Sequence, residues 1–365
     1  MEAVADNLSE DAVVDDASLD DTVISEPYNI ASYGADYDVE GIFRRLKRKE
    51  IFVPPFQRDY VWNQTDASRF IESLLLGLPV PGVFLASDPE TGRFLVIDGQ
   101  QRLLTIQFFY DGLFNPRAHD KAHRVFKLVG VQPQFEGKTY ATLDERDRIR
   151  LENSIIHATI VKQESPADDD TSVFHIFERL NNGGRKLTDH EIRVALYHGG
   201  LVSKIKEWNT YAEWRDLFGP PSNRLKDQEF ILRFLALLDR GNKYSKPMKE
   251  FLNKFASRHR NPKPEDLDRW GLVFSSTIST ISRSLGKAAF RPTGAINAAV
   301  FDSVMVGLYK RLHRGQIENL LGIQEAYQSL LSDPEYMEAV SRATSDEAAV
   351  QARLEKAEAA FADIE

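Results

Sequence analysis

The most constraining stretch of this sequence is residues 94–109, which read FLVIDGQQRLLTIQFF. The apolar run before Asp98 is typical of a buried strand, and the apolar spacing after Arg102 predicts an amphipathic helix. Residues 98–102, which we call the DGQQR loop, connect the two. Because a helix start has unpaired backbone N–H groups and a partial positive charge, a loop with Gly, two amides and a guanidinium at this place suits a phosphate or another anion.

The rest of the chain predicts an α+β protein with its strands before its helices. Two apolar runs joined by the turn at Gly92 predict a β-hairpin that delivers Asp98. After Thr171 the apolar spacing is helical throughout. The predicted organisation is an acidic disordered tail at 1–36, an α/β domain at 37–165, a helical domain at 171–340 and a C-terminal helix at 341–365. We expect that last helix to pack on the body of the protein.

Charge is unevenly distributed along the 365 residues. The net charge is −9, yet the first forty residues hold twelve Asp and Glu and no Lys or Arg, so the remainder is slightly basic. The chain has no Cys, which excludes disulfides, zinc–thiolate sites and thiol nucleophiles. No apolar run approaches the roughly 20 residues that a membrane span needs, and no signal region opens the chain, so we expect a cytoplasmic protein with no membrane partner.

Three clusters of polar residues are set among apolar neighbours: Gln57 with Arg58, the DGQQR loop, and residues 181–188 followed by Glu191 and Arg193. If the segment around Gln57 runs beside the hairpin in one sheet, the first two clusters meet at one end of it. Structural explanations also exist, because Asp-Gly is a common turn and Asn-Asn-Gly-Gly is a common helix end. Thr188 and Glu191 form the sequence pattern of a capping box.

Two further groups of side chains have both a structural and a functional interpretation. Phe56, Tyr60 and Trp62 alternate along an extended, proline-containing segment, and they either anchor it on the core or take part in sensing DNA. The polar face of the helix predicted at 38–49 carries Arg44, Arg45 and Arg48. A charged helix face is usually solvated, and contact with DNA phosphates is the alternative.

Three motifs of this sequence resemble those of one protein family. They are FQRDYVW at 56–62, IDGQQRL at 97–103 and FERLNNGGRKLT at 177–188, the last followed by EIR at 191–193. In order and spacing they are similar to the ParB-like N-terminal domain of modification-dependent restriction proteins, of the Gmr type and the phosphorothioate-sensing type. The resemblance covers roughly residues 38–312. It implies a ParB/sulfiredoxin-like α/β core followed by an all-helical C-terminal domain.

The resemblance also implies roles for individual residues. Asp98, Gln100, Gln101 and Arg102 take the catalytic role in nucleotide hydrolysis, with Asp98 as a Mg²⁺ ligand. Gln57, Arg58, Gly99 and Arg102 bind the nucleotide phosphates, or the first two sense modified DNA. Asn181, Gly184, Thr188, Glu191 and Arg193 form the second motif region that is expected to report on occupancy. The expected function is that of a nucleoside triphosphate-hydrolysing sensor in a DNA-targeting defence system.

The family's whole restriction proteins usually add a nuclease domain with a His-Asn-His site. After Thr188 the histidines of this chain are His190, His198, His259 and His313, and none lies in such a frame. Cleavage by a separate nuclease subunit is therefore expected. Two alternatives stay open: a reader of modified DNA that hydrolyses nothing, and a ParB-like core that cuts DNA itself. A homo-oligomer is a further expectation.

Overall fold

A computed structural model describes residues 13–14, 29–53, 60–88, 91–116, 124–165, 171–180 and 187–365. The chain divides into two compact units. The first, Tyr28–Leu187, is called the α/β unit, and the second, Thr188–Glu365 together with Val13–Val14, is called the helical unit. A mixed sheet in the first unit and a mostly helical second unit confirm the predicted α+β class.

The secondary structure follows the predicted order, strands first and helices later. Within the described residues the strands β1 to β9 are Val13–Val14, Asn29–Asp38, Ile51–Phe52, Val83–Ser87, Phe94–Asp98, Leu113–Phe114, Arg124–Val125, Ile155–Ser165 and Ile296–Asn297. The helices α1 to α15 are Val39–Lys47, Gln64–Leu76, Gln100–Asp111, Glu145–Glu152, Thr171–Leu180, Asp189–Leu196, Gly200–Trp208, Ala212–Phe218, Lys226–Arg240, Met248–Arg258, Pro264–Ser284, Ala298–Leu312, Leu320–Ser332, Pro334–Ala339 and Glu347–Phe361. In this described part of the chain no helix has both the length and the apolar character to cross a membrane.

The main sheet of the α/β unit has the strand order β2-β8-β4-β5-β3 in the described residues. β2 is antiparallel to β8, β8 is parallel to β4, β4 is antiparallel to β5, and β5 is parallel to β3. The hairpin of β4 and β5 is therefore confirmed. The predicted end of the disordered tail at residue 36 lies too far along the chain, because residues 29–36 belong to β2. Aromatic and β-branched residues such as Ile30 and Tyr33 favour a strand there despite the acidic composition.

Helices cover the sheet on both faces. Buried side chains of α1, α2 and α3 share one hydrophobic cluster with Leu85, Val96 and Ile160 of the strands. Ala86 and Val161 are buried but lie outside that cluster, and α5 contacts β8 and β5. Because α5 packs on the sheet, the boundary between the units falls at Leu187/Thr188 and not at the predicted 165–171.

The helical unit is arranged around α12, which contacts α9 and α15. The predicted apolar stripe of the C-terminal helix, Val350, Leu354, Ala357 and Phe361, is buried, so its packing on the body is confirmed. Gly307 of α12 permits this close approach, because a Cβ there would lie 2.9 Å from the backbone of Ala357.

Three buried charged side chains connect α9, α12 and α15. Asp302 accepts hydrogen bonds from Arg233 Nε at 3.0 Å and Arg233 Nη2 at 2.6 Å. Arg353 Nη2 donates to the same carboxylate at 3.0 Å. All three side chains are almost completely removed from solvent. One carboxylate therefore compensates two guanidinium groups in the core of the unit.

Candidate functional site

The DGQQR loop forms the sharp strand-to-helix turn that the sequence predicts. β5 ends at Asp98, and α3 begins at Gln100. Gly99 occupies the position before the helix and supplies no side-chain cap. The partial positive charge of this helix start favours an anion.

Gly99 is required by both backbone conformation and packing. Its φ of +100° lies in the region that residues with a side chain rarely adopt. A Cβ at this position would lie 2.5 Å from Cγ1 of Val83 and 2.9 Å from Cβ of Val83. The turn therefore accepts no other residue without local rearrangement.

Asp98 and Arg102 form an ion pair across the turn. Arg102 Nη2 donates to Asp98 Oδ2 at 2.7 Å, and the side chains are 15% and 52% exposed, respectively. Arg102 Nε is buried and has no hydrogen-bond partner among the described residues. A guanidinium with a buried, unsatisfied donor is suited to bind a further oxygen ligand. The loop thus combines a guanidinium paired with an accessible carboxylate and the start of a helix.

Gln101 holds a separate segment of the chain against the start of α3. Its side-chain oxygen accepts hydrogen bonds from the backbone N–H of Val61 at 3.0 Å and of Trp62 at 3.3 Å. The carboxamide oxygen is therefore occupied in this structure. A role of Gln101 in orienting water would depend on its NH₂ group or on release of this segment.

Tyr60 is an anchor in the core. It is 8% exposed, its hydroxyl lies 2.6 Å from the hydroxyl of Thr105, and its ring packs edge-on against Phe108 and Phe114. Burial raises the pKa of Tyr60 to about 12. The ring and hydroxyl are thus used internally, which favours the anchoring interpretation, and a role of Tyr60 in sensing DNA stays a prediction. Trp62 is half-buried and packs edge-on against Phe70, which supports the anchoring interpretation.

Phe56, Gln57 and Arg58 lie outside the described residues, and their roles stay predictions. The described chain on both sides of them is attached near the DGQQR loop. β3 pairs with the first two residues of β5, and Tyr60 contacts α3 through Thr105. These flanking contacts agree with the expectation that the two polar clusters meet at one end of the sheet.

Two arginines of α1 and Arg48, which directly follows this helix, each lie near an acidic side chain. The nearest distances are 3.8 Å for Arg44 to Glu40, 2.9 Å for Arg45 to Glu50 and 3.7 Å for Arg48 to Glu50. These pairs are solvent-accessible, so each contributes little to stability and leaves the arginine side chain free to change partner. Contact of this face with DNA stays a prediction.

The described residues of the third motif have structural partners within the helical unit. Thr188 and Glu191 form the predicted capping box, with the Thr188 hydroxyl accepting from Glu191 N at 3.2 Å and Glu191 Oε2 accepting from Thr188 N at 2.6 Å. Arg193 is buried and donates from Nε to Asn253 at 2.8 Å. Asn181 and Gly184 lie outside the described residues. A reporting role for this region stays a prediction.

Buried His190 predicts a pH dependence of stability. Its Nδ1 lies 3.2 Å from Arg193 Nη1, and burial, reinforced by Arg193 and opposed by Glu229, lowers the pKa of His190 to about 3. The unfolded chain takes up this proton near pH 6.5 and the folded chain only near pH 3, so this group stabilises the fold at neutral pH. As the pH falls from about 6 to about 4, His190 should lower the free energy of unfolding by about 1.4 kcal/mol per pH unit. Denaturant unfolding of His190→Gln should show a shallower pH slope than wild type, and equal slopes would contradict the assignment.

The donor set at the DGQQR loop places a limit on the expected Mg²⁺ ion. No group of three or more acidic or histidine side chains suited to a metal occurs among the described residues. Asp98 alone supplies a carboxylate, and in this structure it pairs with Arg102. Mg²⁺ is commonly held by one or two carboxylates together with substrate phosphates and waters, so Asp98 fits only that kind of site.

Sequence reasoning missed two residues that shape this site, Thr105 and Val83. Thr105 contacts Tyr60, which lies far from it along the chain, and Val83 contacts Gly99 by packing alone. Neither residue belongs to a recognisable motif. Gln64, which donates to the Lys127 carbonyl at 2.7 Å, is a similar long-range case. Such contacts leave no periodic signal in one sequence.

Comparison with known proteins identifies the region that contains this loop. A search of the curated proteins found no match for the chain. A family model described as the N-terminal domain of GmrSD restriction endonuclease matches residues 39–198. The match includes the strands and helices that surround the DGQQR loop and extends to the buried Arg193. Residues 39–198 of this chain are therefore similar to the N-terminal domain of GmrSD restriction endonuclease.

Proposed function

We propose that the protein is a component of a restriction system acting on DNA, and that its α/β unit binds and hydrolyses a nucleoside triphosphate. The family model that matches residues 39–198 supports the restriction setting. The geometry of the DGQQR loop supports the nucleotide. The observation that carries the proposal is Arg102, whose buried Nε has no partner among the described residues while its Nη2 holds an accessible carboxylate.

Phosphate binding follows from the chemistry of the loop. Gly99 lets the backbone turn closely, and it supplies no side-chain cap to the start of α3. Backbone N–H groups at a helix start together with a guanidinium form a common phosphate-binding arrangement. An incoming phosphate would compete with Asp98 for Arg102, so binding exchanges one anionic partner of the guanidinium for another and frees the carboxylate.

Hydrolysis would use the groups that this exchange makes available. Arg102 stabilises charge on the phosphates, Gln100 or Gln101 positions the attacking water, and the freed Asp98 carboxylate holds Mg²⁺ or orients the water. When Mg²⁺ is bound, it neutralises phosphate charge. The predicted partners Gln57 and Arg58 would add further polar contacts to the same phosphates.

Arg102→Ala and Asp98→Ala are expected to separate binding from hydrolysis. Loss of the charged hydrogen bonds of Arg102 should weaken nucleotide binding by about tenfold or more. Asp98→Ala removes the competitor for Arg102, so binding should be unchanged or tighter while phosphate release falls. Titration with a fluorescent nucleotide and a phosphate-release assay, each with Mg²⁺ or EDTA, measure the two effects.

Arg148→Ala is a suitable control, because this arginine is in the same unit and forms an accessible pair with Glu152. It should bind and hydrolyse like wild type. Absence of nucleotide binding in the wild-type protein would remove the proposal. Binding without any phosphate release would remove only its hydrolytic part.

A second candidate function is that of a reader of modified DNA that hydrolyses nothing. It is favoured because two polar side chains of the loop already have partners. The Gln101 oxygen is bonded to Val61 and Trp62, and the Asp98 carboxylate to Arg102. A protein that only reads modified DNA would need neither group for catalysis. Gel shifts with modified and unmodified DNA at two salt concentrations test this, because binding dominated by phosphate contacts falls steeply with salt.

Cleavage of DNA by the α/β unit itself is a third alternative. Plasmid that stays intact with Mg²⁺ or Mn²⁺, with Asp98→Ala as control, would exclude it. In that case a separate nuclease subunit is the proposed partner. A cytoplasmic location and a homo-oligomeric state complete the proposal, and neither follows from the fold.

A further inference from the structure

The strand register extends from the DGQQR loop across the sheet. Asp98 of β5 lies opposite Phe84 of β4, and Phe84 lies opposite Thr159 of β8. Directly opposed residues on neighbouring strands share one face of a sheet. Thr159 in turn lies opposite Gly34 of β2. A row of residues therefore leads from the candidate site toward the far edge of the sheet.

A histidine–carboxylate pair lies beside this row. His157 is two residues before Thr159 and so faces the same side of the sheet. Its Nδ1 is 2.8 Å from Oδ1 of Asp36, its register partner on β2. The side chains are 59% and 67% exposed, respectively, so the pair faces solvent. An exposed pair of this kind contributes little to stability.

Two glycines lie close to His157. A Cβ on Gly34 would lie 2.7 Å from Cε1 of His157, so a side chain there would displace the imidazole from its place across β2. A Cβ on Gly82 would lie 2.7 Å from the His157 carbonyl oxygen. Gly82 directly precedes Val83, the residue against which Gly99 packs. The surface between the DGQQR loop and His157 thus has no side chain at Gly82.

The spacing of these features matches an elongated ligand. Neighbouring strands are about 4.8 Å apart, so β5 and β2, over which the imidazole lies, are separated by roughly 14 Å. One end of the row offers a guanidinium at a helix start, the middle offers the half-buried ring of Phe84, and the other end offers an imidazole with a carboxylate. Phosphate, stacked base and hydroxyl or base edge are the groups that these side chains recognise.

We infer that a nucleotide held by its phosphates at Arg102 lays its nucleoside across Phe84, and that His157 and Asp36 contact the nucleoside and determine which one is accepted. This inference rests on the proposed function, because it places the remainder of the same ligand. Nδ1 of His157 is turned to Asp36, so Nε2 of the imidazole and the second oxygen of the Asp36 carboxylate are the atoms presented to the ligand, and together they match a sugar hydroxyl or a polar base edge.

Inorganic tripolyphosphate separates the two ends of the site, because it has the phosphates and lacks the nucleoside. His157→Ala and Asp36→Asn are expected to raise the Kd of the preferred nucleoside triphosphate about tenfold, the loss of one or two hydrogen bonds. Their Kd for tripolyphosphate should equal that of wild type. Ser32→Ala, an exposed substitution on β2, is the matched control and should change neither. Calorimetric titration of the full chain with ATP, GTP, CTP, UTP and tripolyphosphate provides all values.

Each result decides the inference. Selective weakening of nucleotide binding, with a changed order of preference among the four nucleotides, supports it. Unchanged nucleotide affinity in both variants overturns it and leaves the proposed function intact. Equal weakening toward nucleotide and tripolyphosphate also overturns it, because the pair would then act on the loop as a whole. A wild-type protein that binds neither ligand overturns the proposed function and this inference together.

Discussion

Replacing Asp302 with Ala is expected to destabilise the helical unit by about 3–5 kcal/mol. Asp302 is the one carboxylate bonded to both Arg233 and Arg353 in the described core of this unit, and all three side chains are buried. Its removal takes from both guanidinium groups the carboxylate to which they are bonded, in a region with almost no solvent access. Burial already lowers the pKa of Arg353, which shows the same penalty on the charged form.

Chemical denaturation followed by circular dichroism measures this effect. The matched control is Lys246→Ala, which breaks an exposed pair with Asp346 of 2.9 Å in the same unit. That change should cost no more than about 1 kcal/mol. Asp302→Asn, which keeps the volume and two hydrogen-bonding groups, should fall between the two. A loss below about 1 kcal/mol for Asp302→Ala would mean that the two arginines are solvated in the folded protein.

The parts of the fold that one sequence predicts are those determined by neighbouring residues. The strand, the Asp-Gly turn and the helix of residues 94–109 follow one another directly, so periodicity and turn chemistry suffice. The capping box at Thr188 is equally local. For the same reason the apolar stripe of α15 correctly indicated packing on the body.

Long-range contacts account for what the sequence did not predict. Tyr60 and Thr105 are 45 positions apart, and only folding brings their hydroxyls to 2.6 Å. The occupied oxygen of Gln101 is likewise invisible in the sequence, although it restricts what this residue can do. β2 was assigned to the tail because acidic composition outweighed its alternating aromatic residues, and pairing with β8 decides its structure.

In the candidate site, too, the sequence predicted local features and did not predict what depends on the folded structure. Its residue types were predictable, because Asp, Gly, two Gln and Arg at a helix start suit phosphate. Its electrostatic state was not, because Asp98 ends a strand and Arg102 lies in the following helix, and only the folded turn brings their side chains to 2.7 Å. The site without ligand is therefore already neutralised, and a phosphate must displace a carboxylate to bind. Affinity for nucleotide should thus depend on how firmly the turn fixes this pair.

Gly99→Ala tests that dependence and is expected to cost about 2–4 kcal/mol of stability in the α/β unit. Part of the cost is the φ of +100°, and part is the overlap of the new Cβ with Val83 at 2.5 Å. Relief requires the turn to move, which shifts Arg102 relative to Asp98. Nucleotide binding should therefore weaken at least tenfold, or about 1.4 kcal/mol, even at temperatures where the variant is folded.

Gly112→Ala provides a matched comparison at the other end of α3. Gly112 has a φ of +73°, and a Cβ there would meet nothing within 4 Å. It should incur only the backbone cost of about 1–2 kcal/mol and bind nucleotide like wild type. Thermal unfolding and nucleotide titration of both variants separate backbone strain from displacement of the turn. Equal behaviour of the two variants would mean that Val83 yields easily and that the geometry of the DGQQR loop does not control binding.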